Sequence, residues 1–303
     1  MKQSKDQRRK AKAESKKEKS KVRRARRAAI ARGETVETQK PRTIEDMRVA
    51  DVTLCVGLDP EIEGENHVDE FEAFDREDGR EPKIMIITAE ERAGKRTINF
   101  LKEFVEVVPN MTYFKRKTFT IKKITEIAIS KEFTHLIVLQ ERAGEPDSLF
   151  MSSLPEGPTS YWKLTKLKLG QEMKNGASCN AEHNPEIMLK NFSTRLGVRM
   201  SRQLKSLFPR KSDELGRRVV TFHNQRDFIF FRHYRYEFKD MGETDKDKSL
   251  GSRERERCAL QEIGPRFTLK LRSLQLGTFD TKEGEYEFLW RPDSQVSRKS
   301  FAL

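Results

Sequence analysis

The chain has 303 residues, of which 36% are charged and only 35% are hydrophobic, and its net charge is +13. Its length allows two small domains, but the low hydrophobic content predicts that part of the chain lies outside any core. It contains no run of about 18 apolar residues and no apolar stretch after its charged N-terminus, which predicts a soluble intracellular protein without a membrane span or signal peptide. The three cysteines are far apart and form no CxxC pair, which is typical of a reducing compartment and predicts no metal site.

The charge is distributed in three blocks. Residues 1–42 carry a net charge of +12, residues 43–81 carry −11, and residues 82–303 carry +12. A basic body favours a polyanionic partner, because neutralising phosphates releases bound counterions. On charge alone, the partner could be RNA, DNA or an acidic membrane surface.

The two N-terminal blocks are predicted to lie outside the core. Residues 1–42 lack aromatic side chains, which predicts a disordered basic tail, and their arginine cluster at 23–27 indicates a nuclear address or a nucleic-acid arm; a purely solubilising tail is the alternative. In residues 43–81, Thr43 and Asp46 predict the start of a short helix, which an extended segment at 51–58 and an acidic linker follow. This linker is either a docking segment for a basic partner surface or a spacer between the tail and the body.

Residues 82–184 are predicted to alternate strands with helices. Short apolar runs mark the predicted strands, and apolar side chains recur at helical spacing in the predicted helices. In chain order, the elements are a strand at 83–88, a helix carrying Ile98, Leu101, Phe104, Val105 and Val108, a strand at 111–116, a helix capped by Thr118 or Thr120, a strand at 133–139, and a strand that opens with Gly157-Pro158.

Residues 185–279 are predicted to repeat this layout after a loop at 175–184. The predicted elements are a strand at 187–189, a helix at 194–207, a hairpin that turns near 224–227, a polar loop at 239–257, and a strand that opens with Gly264-Pro265.

The two Gly-Pro strands are near copies of each other. GPTSYWKLTKLKLG at 157–170 and GPRFTLKLRSLQLG at 264–277 are identical at seven of fourteen aligned positions. Both copies break their two-residue alternation at the same point, which predicts a bulge or bend in each. A sequence that repeats itself at this scale predicts an α/β protein of two similar half-domains packed as a pseudo-symmetric pair.

We find no sequence pattern that predicts catalysis. Gly94-Lys95 before a helix resembles a phosphate-binding loop, but Ala89 and Arg96 occupy the positions where that motif requires glycine and serine or threonine. His135 lies in an apolar run and is predicted to be a packed core histidine. His223 and His233 have no carboxylate or cysteine at ligand spacing, so an enzyme acting on RNA or nucleotides is the disfavoured alternative.

Several separate stretches resemble the Brix domain proteins of ribosome assembly. They are GPTSYWKL, the LFP at 207–209, RRVVTFHNQRDFIFFRHYRYEF and QEIGPRF. The resemblance implies a Brix domain at 82–279, divided into halves 82–184 and 185–279 that each resemble the anticodon-binding domain of certain aminoacyl-tRNA synthetases, followed by a C-terminal extension at 280–303.

The resemblance also implies a function. It is that of a non-enzymatic assembly factor without cofactors, which binds ribosomal RNA during maturation of the large ribosomal subunit in the nucleolus. The implied protein partners are other large-subunit assembly factors, including a dedicated heterodimer partner. The resemblance does not imply membrane binding. A protein-interaction scaffold with little direct RNA contact is the alternative.

The second Gly-Pro strand is the candidate RNA-binding segment. By alternation, Arg266, Lys270 and Arg272 share one face and can each take a different phosphate, whereas Phe267 points to the core. The resemblance implies RNA binding for the whole segment. Its members are Glu262, Ile263, Gly264, Pro265, Arg266, Phe267, Thr268, Leu269, Lys270, Leu271, Arg272, Ser273, Leu274, Gln275, Leu276, Gly277, Thr278 and Phe279.

Overall fold

The computed structural model describes residues 70–75, 79–174, 183–212, 214–240, 256–279, 284–294 and 299–303, together with isolated positions between 17 and 49. The chain divides into two compact parts, Met1–Arg48 and Val49–Leu303. The predicted basic tail, the segment predicted at 51–58, most of the acidic linker and most of the junction at 175–184 lie outside the described residues. The fold below is that of the second part.

All described strands belong to one mixed sheet of eleven strands. Their bounds are β1 Ile84–Thr88, β2 Met111–Phe114, β3 His135–Arg142, β4 Glu145–Ser153, β5 Thr159–Lys168, β6 Glu186–Lys190, β7 Arg218–Gln225, β8 Phe228–Asp240, β9 Glu256–Glu262, β10 Arg266–Gln275 and β11 Tyr286–Leu289. The order across the sheet is β2-β1-β3-β4-β5-β10-β8-β7-β6, with β11 paired to β10 and β9 paired to β8.

Three helices of ten or more residues connect these strands. They are α1 Lys95–Val107, α2 Ile121–Ser130 and α3 Arg195–Lys205. Thr120 and Thr194 cap α2 and α3, because each side chain accepts a hydrogen bond from a backbone N–H of the first turn. Shorter turns of helix lie at Glu72–Asp75, Gly170–Glu172, Glu214–Gly216 and Pro292–Ser294.

The mixed α/β class is confirmed, with local corrections. The sequence did not predict β4, β9 or β11. Strand β4 follows β3 through a tight turn at Ala143 and Gly144, both with positive φ. The polar loop predicted at 239–257 is too long at both ends, since β8 continues to Asp240 and β9 begins at Glu256.

The helices cover the sheet unequally. Helices α1 and α3 pack on one face and form the larger apolar core with residues such as Trp162, Phe231 and Phe267. Helix α2 packs on the opposite face, over β1 and β3, in a smaller core. No described helix covers that opposite face over β5, β10 and β8, which we call the open face.

Strands β5 and β10, the two Gly-Pro copies, are antiparallel neighbours at the middle of the sheet. Lys163 lies directly opposite Lys270, and these two lysines occupy the same position of the two copies. The predicted bulges are confirmed. The register between the strands shifts at Arg272 in β10 and near Lys166 in β5, where Lys166 has a φ of 54°.

The glycines that both copies share contact each other in reciprocal pairs. Gly157, at the start of the first copy, lies so close to Gly277, at the end of the second, that a Cβ atom on Gly157 would be 2.6 Å from the Gly277 carbonyl oxygen. Gly264 lies equally close to Gly170, where the corresponding distance to Cα is 2.7 Å. Both opening glycines also have positive φ, which favours glycine.

Both long helices of the larger core contact residues from the other of the two segments 82–184 and 185–279. Phe104 of α1 lies 5.9 Å from Phe267 of β10, and Phe267 stacks on Phe231 of β8 at 4.3 Å between ring centroids. Conversely, Gln203 of α3 donates to the carbonyl oxygens of Met151 and Pro158. The core is therefore continuous across the segments 82–184 and 185–279.

Candidate nucleic-acid interface

The open face carries cations and aromatic rings on the central strands. Because Phe267, Leu269 and Leu271 point into the larger core, alternation directs the neighbouring side chains of β10 to the open face. Contacts between side chains of adjacent strands confirm this arrangement: the Lys270 ammonium lies 4.9 Å from the ring of Phe228 on β8.

The predicted cation Arg266 already has a carboxylate partner. Its guanidinium forms an ion pair with Glu262, which also lies 3.7 Å from the guanidinium of Arg232 on β8. Burial, and next the charge of Arg266, lower the pKa of Arg232. The Glu262 carboxylate therefore interacts with both arginines and provides a counter-charge for Arg266. Arg266 is for this reason a weaker candidate for binding phosphate than the sequence predicts.

Lys270 and Arg272 are different, because no carboxylate of a described residue lies within ion-pair distance of either. Both contact the ring of Trp290, at 4.7 Å for the Lys270 ammonium and 4.1 Å for the Arg272 guanidinium. Partial burial, and next the charge of Arg272, lower the pKa of Lys270, while Asp227 opposes this shift. Lys163, opposite Lys270, instead forms an ion pair with Asp147. An anion would relieve the repulsion between Lys270 and Arg272.

Much of the candidate segment is structural. Phe267 is 1% exposed, as predicted, and its side chain cannot contact a ligand. Three other side chains of the segment also lie in the larger core and are unavailable to a polyanion: Leu269, Leu271 and Leu274. The glycines of the segment make close contacts between β10 and β5.

Sequence reasoning did not predict two residues of this face. Phe228 begins β8 and is 40% exposed, and Trp290 follows β11 in the predicted C-terminal extension. The Trp290 backbone N–H donates to the Arg272 carbonyl at the bulge of β10, with an N–O distance of 2.8 Å. No local pattern reveals this contact, because it depends on β11 adding to the edge of β10.

Two histidines, His135 and His233, occupy structural positions. His135 is buried, as predicted, with ring nitrogens 2.8 Å from Thr134 Oγ1 and 3.0 Å from Ser206 Oγ. Burial, and next the charge of Arg80, lower its pKa to about 3. Burial also lowers the pKa of His233 to about 4, although its hydrogen bond to the Gly264 carbonyl opposes the shift.

The N-terminus of α1, which resembles a phosphate-binding loop, is occupied by carboxylates. The Gly94 N–H donates to Glu141 at 2.7 Å, and Arg96 pairs with Glu145 and Glu172. An RNA phosphate would have to displace these groups. Within the described ranges, no group of three or more potential metal ligands lies together, and no helix is long and apolar enough to cross a membrane.

Part of the acidic linker packs on the body of the protein. Phe71 is 1% exposed, and the ring of Phe74 lies 5.1 Å from that of His135. Arg199 of α3 pairs with Glu70 in this segment and with Glu287 of β11. The C-terminal residues Phe301 and Leu303 are also buried, and the Asp227 carboxylate accepts hydrogen bonds from the N–H groups of Ala302 and Leu303.

The structure is an α/β fold with one mixed sheet and cationic side chains on its open face. The family of the chain follows from sequence comparison. Residues 91–273 match the Brix domain family. The chain belongs to that family.

The sequence is 42% identical over 264 residues to Ribosome production factor 1 of Pongo abelii, covering 87% of this chain and 71% of that protein. It is 44% identical over 269 residues to a Brix domain-containing protein of Caenorhabditis elegans, covering 88% of this chain and 66% of that protein. Among solved structures, a probable ribosomal biogenesis protein from Aeropyrum pernix K1 aligns at 14% identity with a TM-score of 0.44, over 62% of this chain and 96% of that one.

Proposed function

We propose that the chain is a non-catalytic assembly factor that binds ribosomal RNA during biogenesis of the large ribosomal subunit, in the nucleus and nucleolus. Family membership and relatives named for ribosome production support a role in ribosome biogenesis. The observation that carries RNA binding is the pair Lys270 and Arg272, two adjacent cations without a carboxylate partner among the described residues. Other large-subunit assembly factors, including a heterodimer partner, are its proposed protein partners.

The proposed mechanism is rigid presentation of charge. The Brix domain spans residues 82–279 in this proposal, and its two anticodon-binding-like halves, 82–184 and 185–279, are related by a pseudo-twofold axis near Lys163 and Lys270. The direct pairing of these equivalent lysines and the reciprocal glycine contacts support this symmetry. Because β10 lies at the middle of the sheet with strands on both sides, its cations have fixed positions. An RNA backbone bound there would adopt one orientation relative to both halves.

The test is the salt dependence of RNA binding. Changing Lys270 and Arg272 to Gln removes two phosphate contacts, which lowers the salt slope by about 1.4 and weakens binding roughly 20-fold at 0.1 M salt. The matched control changes Lys122 and Lys131 to Gln, because both are exposed on or just after α2 and their loss alters net charge equally. If both double variants lose the same affinity, RNA binding reflects overall charge and not this site.

One observation favours a protein scaffold as the second candidate. Strands β8 and β9 form a ribbon in which Tyr236 lies opposite Leu260 and Phe238 lies opposite Cys258. Phe238 is 56% exposed and Leu260 is 60% exposed, and side chains that face each other across a ribbon share one face. An exposed apolar face of this kind favours protein contact.

The two candidates predict different effects of changes on this ribbon. Phe238→Ser with Leu260→Ser would release a protein partner from purified pre-ribosomal particles under the scaffold hypothesis, and leave binding to isolated RNA unchanged. If the wild-type chain binds neither single-stranded nor structured RNA at physiological salt, the scaffold is the better description.

A further inference from the structure

Strands β8, β10 and β11 meet where Lys270 and Arg272 lie. Strand β10 pairs with β8 only at Phe267–Leu269 and with β11 only at Ser273–Gln275. Lys270 and Arg272 therefore face the interval between the end of one neighbouring strand and the start of the other. Phe228 of β8 borders this interval on one side, and Trp290 after β11 borders it on the other.

Rings and cations are neighbours throughout this interval. The Lys270 ammonium lies 4.9 Å from the Phe228 ring and 4.7 Å from the Trp290 ring, and the Arg272 guanidinium lies 4.1 Å from the Trp290 ring. Ring contacts hold these cations in place without neutralising them, because an aromatic face attracts a cation but carries no net charge. Among the described residues, no carboxylate lies within ion-pair distance of either cation, and Asp227 acts on Lys270 only from farther away. The site therefore combines fixed positive charge with partly exposed aromatic surface.

We propose that Phe228 and Trp290 form a stacking site for unpaired bases of single-stranded RNA, with Lys270 and Arg272 contacting the adjoining phosphates. This inference rests on the proposed function and specifies the class of RNA. Bases of single strands can stack on aromatic side chains and on arginine guanidinium planes, whereas a duplex buries the faces of its bases between neighbouring pairs. A site that contacted only phosphates would not need the aromatic rings of Phe228 and Trp290.

The aromatic rings also favour RNA over another polyanion. An acidic polypeptide would satisfy the two charges, but it offers no planar surface for Trp290 and Phe228, so the arrangement favours RNA.

Intrinsic fluorescence provides a direct probe of this site. The chain has two tryptophans, of which Trp162 is fully buried in the larger core and Trp290 lies at the proposed site. A single-stranded oligouridine titrated into the full chain is expected to quench Trp290, while the emission of Trp162 reports that the core is intact. A blunt RNA duplex is expected to bind without this quenching. An acidic polypeptide such as polyglutamate that quenches Trp290 as strongly as oligouridine does would overturn the proposal.

The decisive comparison measures the affinity of variants for labelled single-stranded and duplex RNA. Trp290→Leu is expected to weaken single-strand binding roughly 5- to 100-fold, the cost of one or more lost stacking contacts, and to change duplex binding by less than about twofold. Phe228→Leu is expected to act in the same direction. Trp290→Phe retains a ring and is expected to restore most of the affinity, which separates stacking from a loss of folding.

The outcomes separate this inference from the proposed function. If Trp290→Leu and Phe228→Leu leave single-strand affinity unchanged while the Lys270 and Arg272 double variant weakens it, the stacking site is wrong and the phosphate site stands. If the Leu variants weaken single-strand and duplex binding equally, the rings support the strand edge and do not stack on bases. If no variant alters RNA affinity, both proposals are wrong.

Discussion

Replacing Gly264 by alanine tests whether the two copied strands are in close contact at their shared glycines. The new Cβ would lie 2.7 Å from the Gly170 Cα and 3.0 Å from its nitrogen, both backbone atoms that cannot rotate away. Overpacking of this kind costs about 1–3 kcal/mol, and a non-glycine residue at positive φ adds about 1 kcal/mol. We therefore expect Gly264→Ala to lower the free energy of unfolding by about 3 kcal/mol.

The chain contains a matched control for this change. Gly144 has a φ of 81°, close to the 93° of Gly264, but nothing lies within 4 Å of the point where its Cβ atom would stand, so Gly144→Ala isolates the backbone cost of about 1 kcal/mol. Urea unfolding of both variants, followed by circular dichroism, measures the difference. Gly157→Ala is expected to behave like Gly264→Ala. Equal losses in Gly264→Ala and Gly144→Ala would refute the close contact between the copies.

Three further predictions concern charge, pH and the core. Changing Arg266 to Gln is expected to lower the salt slope of RNA binding by less than changing Arg272 to Gln, because Glu262 already neutralises Arg266; equal slopes would contradict this assignment. Stability is expected to fall as the pH drops below 6.5, because the folded pKa values of His135 and His233, about 3 and about 4, lie below that of an unfolded histidine. Their combined contribution, measured by urea unfolding, is about 3 kcal/mol between pH 7.5 and 5.5, and His135→Gln is expected to halve it. Phe231→Ala is expected to cost about 3–5 kcal/mol in a thermal unfolding assay, because it removes a ring that stacks on Phe267 in the shared core, whereas Phe228→Ala at the exposed start of the same strand is expected to cost much less.

Local sequence patterns predicted most of the regular structure. Helical spacing and a capping threonine located α2, and the alternation break at Arg272 located a bulge, because both features depend on residues close in sequence. Strand β4 was missed because the turn before it uses Ala143-Gly144 in place of the asparagine-glycine or aspartate-glycine pairs that mark such hairpins.

The candidate site was predictable only in part. Alternation placed Arg266, Lys270 and Arg272 on one face, but it carries no information about which of them has a carboxylate partner. Glu262 reaches Arg266 because β9 leads into β10 through a short connection, and Trp290 reaches Arg272 because β11 pairs with the C-terminal part of β10, beyond the end of its pairing with β8. Contacts of this kind depend on how strands assemble and not on the local pattern of any one strand.

The two copied strands differ in the charges that they carry at equivalent positions. Lys163 and Lys270 are equivalent and lie opposite each other, yet Asp147 neutralises Lys163 alone. The positions equivalent to Arg266 and Arg272 in the first copy are Thr159 and Thr165, which carry no charge. The two copies therefore differ in charge at these three positions, although the first copy also carries the exposed lysines Lys166 and Lys168.

The most direct measurement of the central claim is ultraviolet crosslinking of the full chain to ribosomal RNA, with the crosslinked peptides identified by mass spectrometry. If the open face holds RNA, the peptides containing Phe228, Lys270 and Trp290 will carry crosslinked nucleotides, and the Lys270 and Arg272 double variant will lose them. Crosslinks confined to the basic residues 1–42, or to the helices α1 and α3 on the other side of the sheet, would contradict the claim.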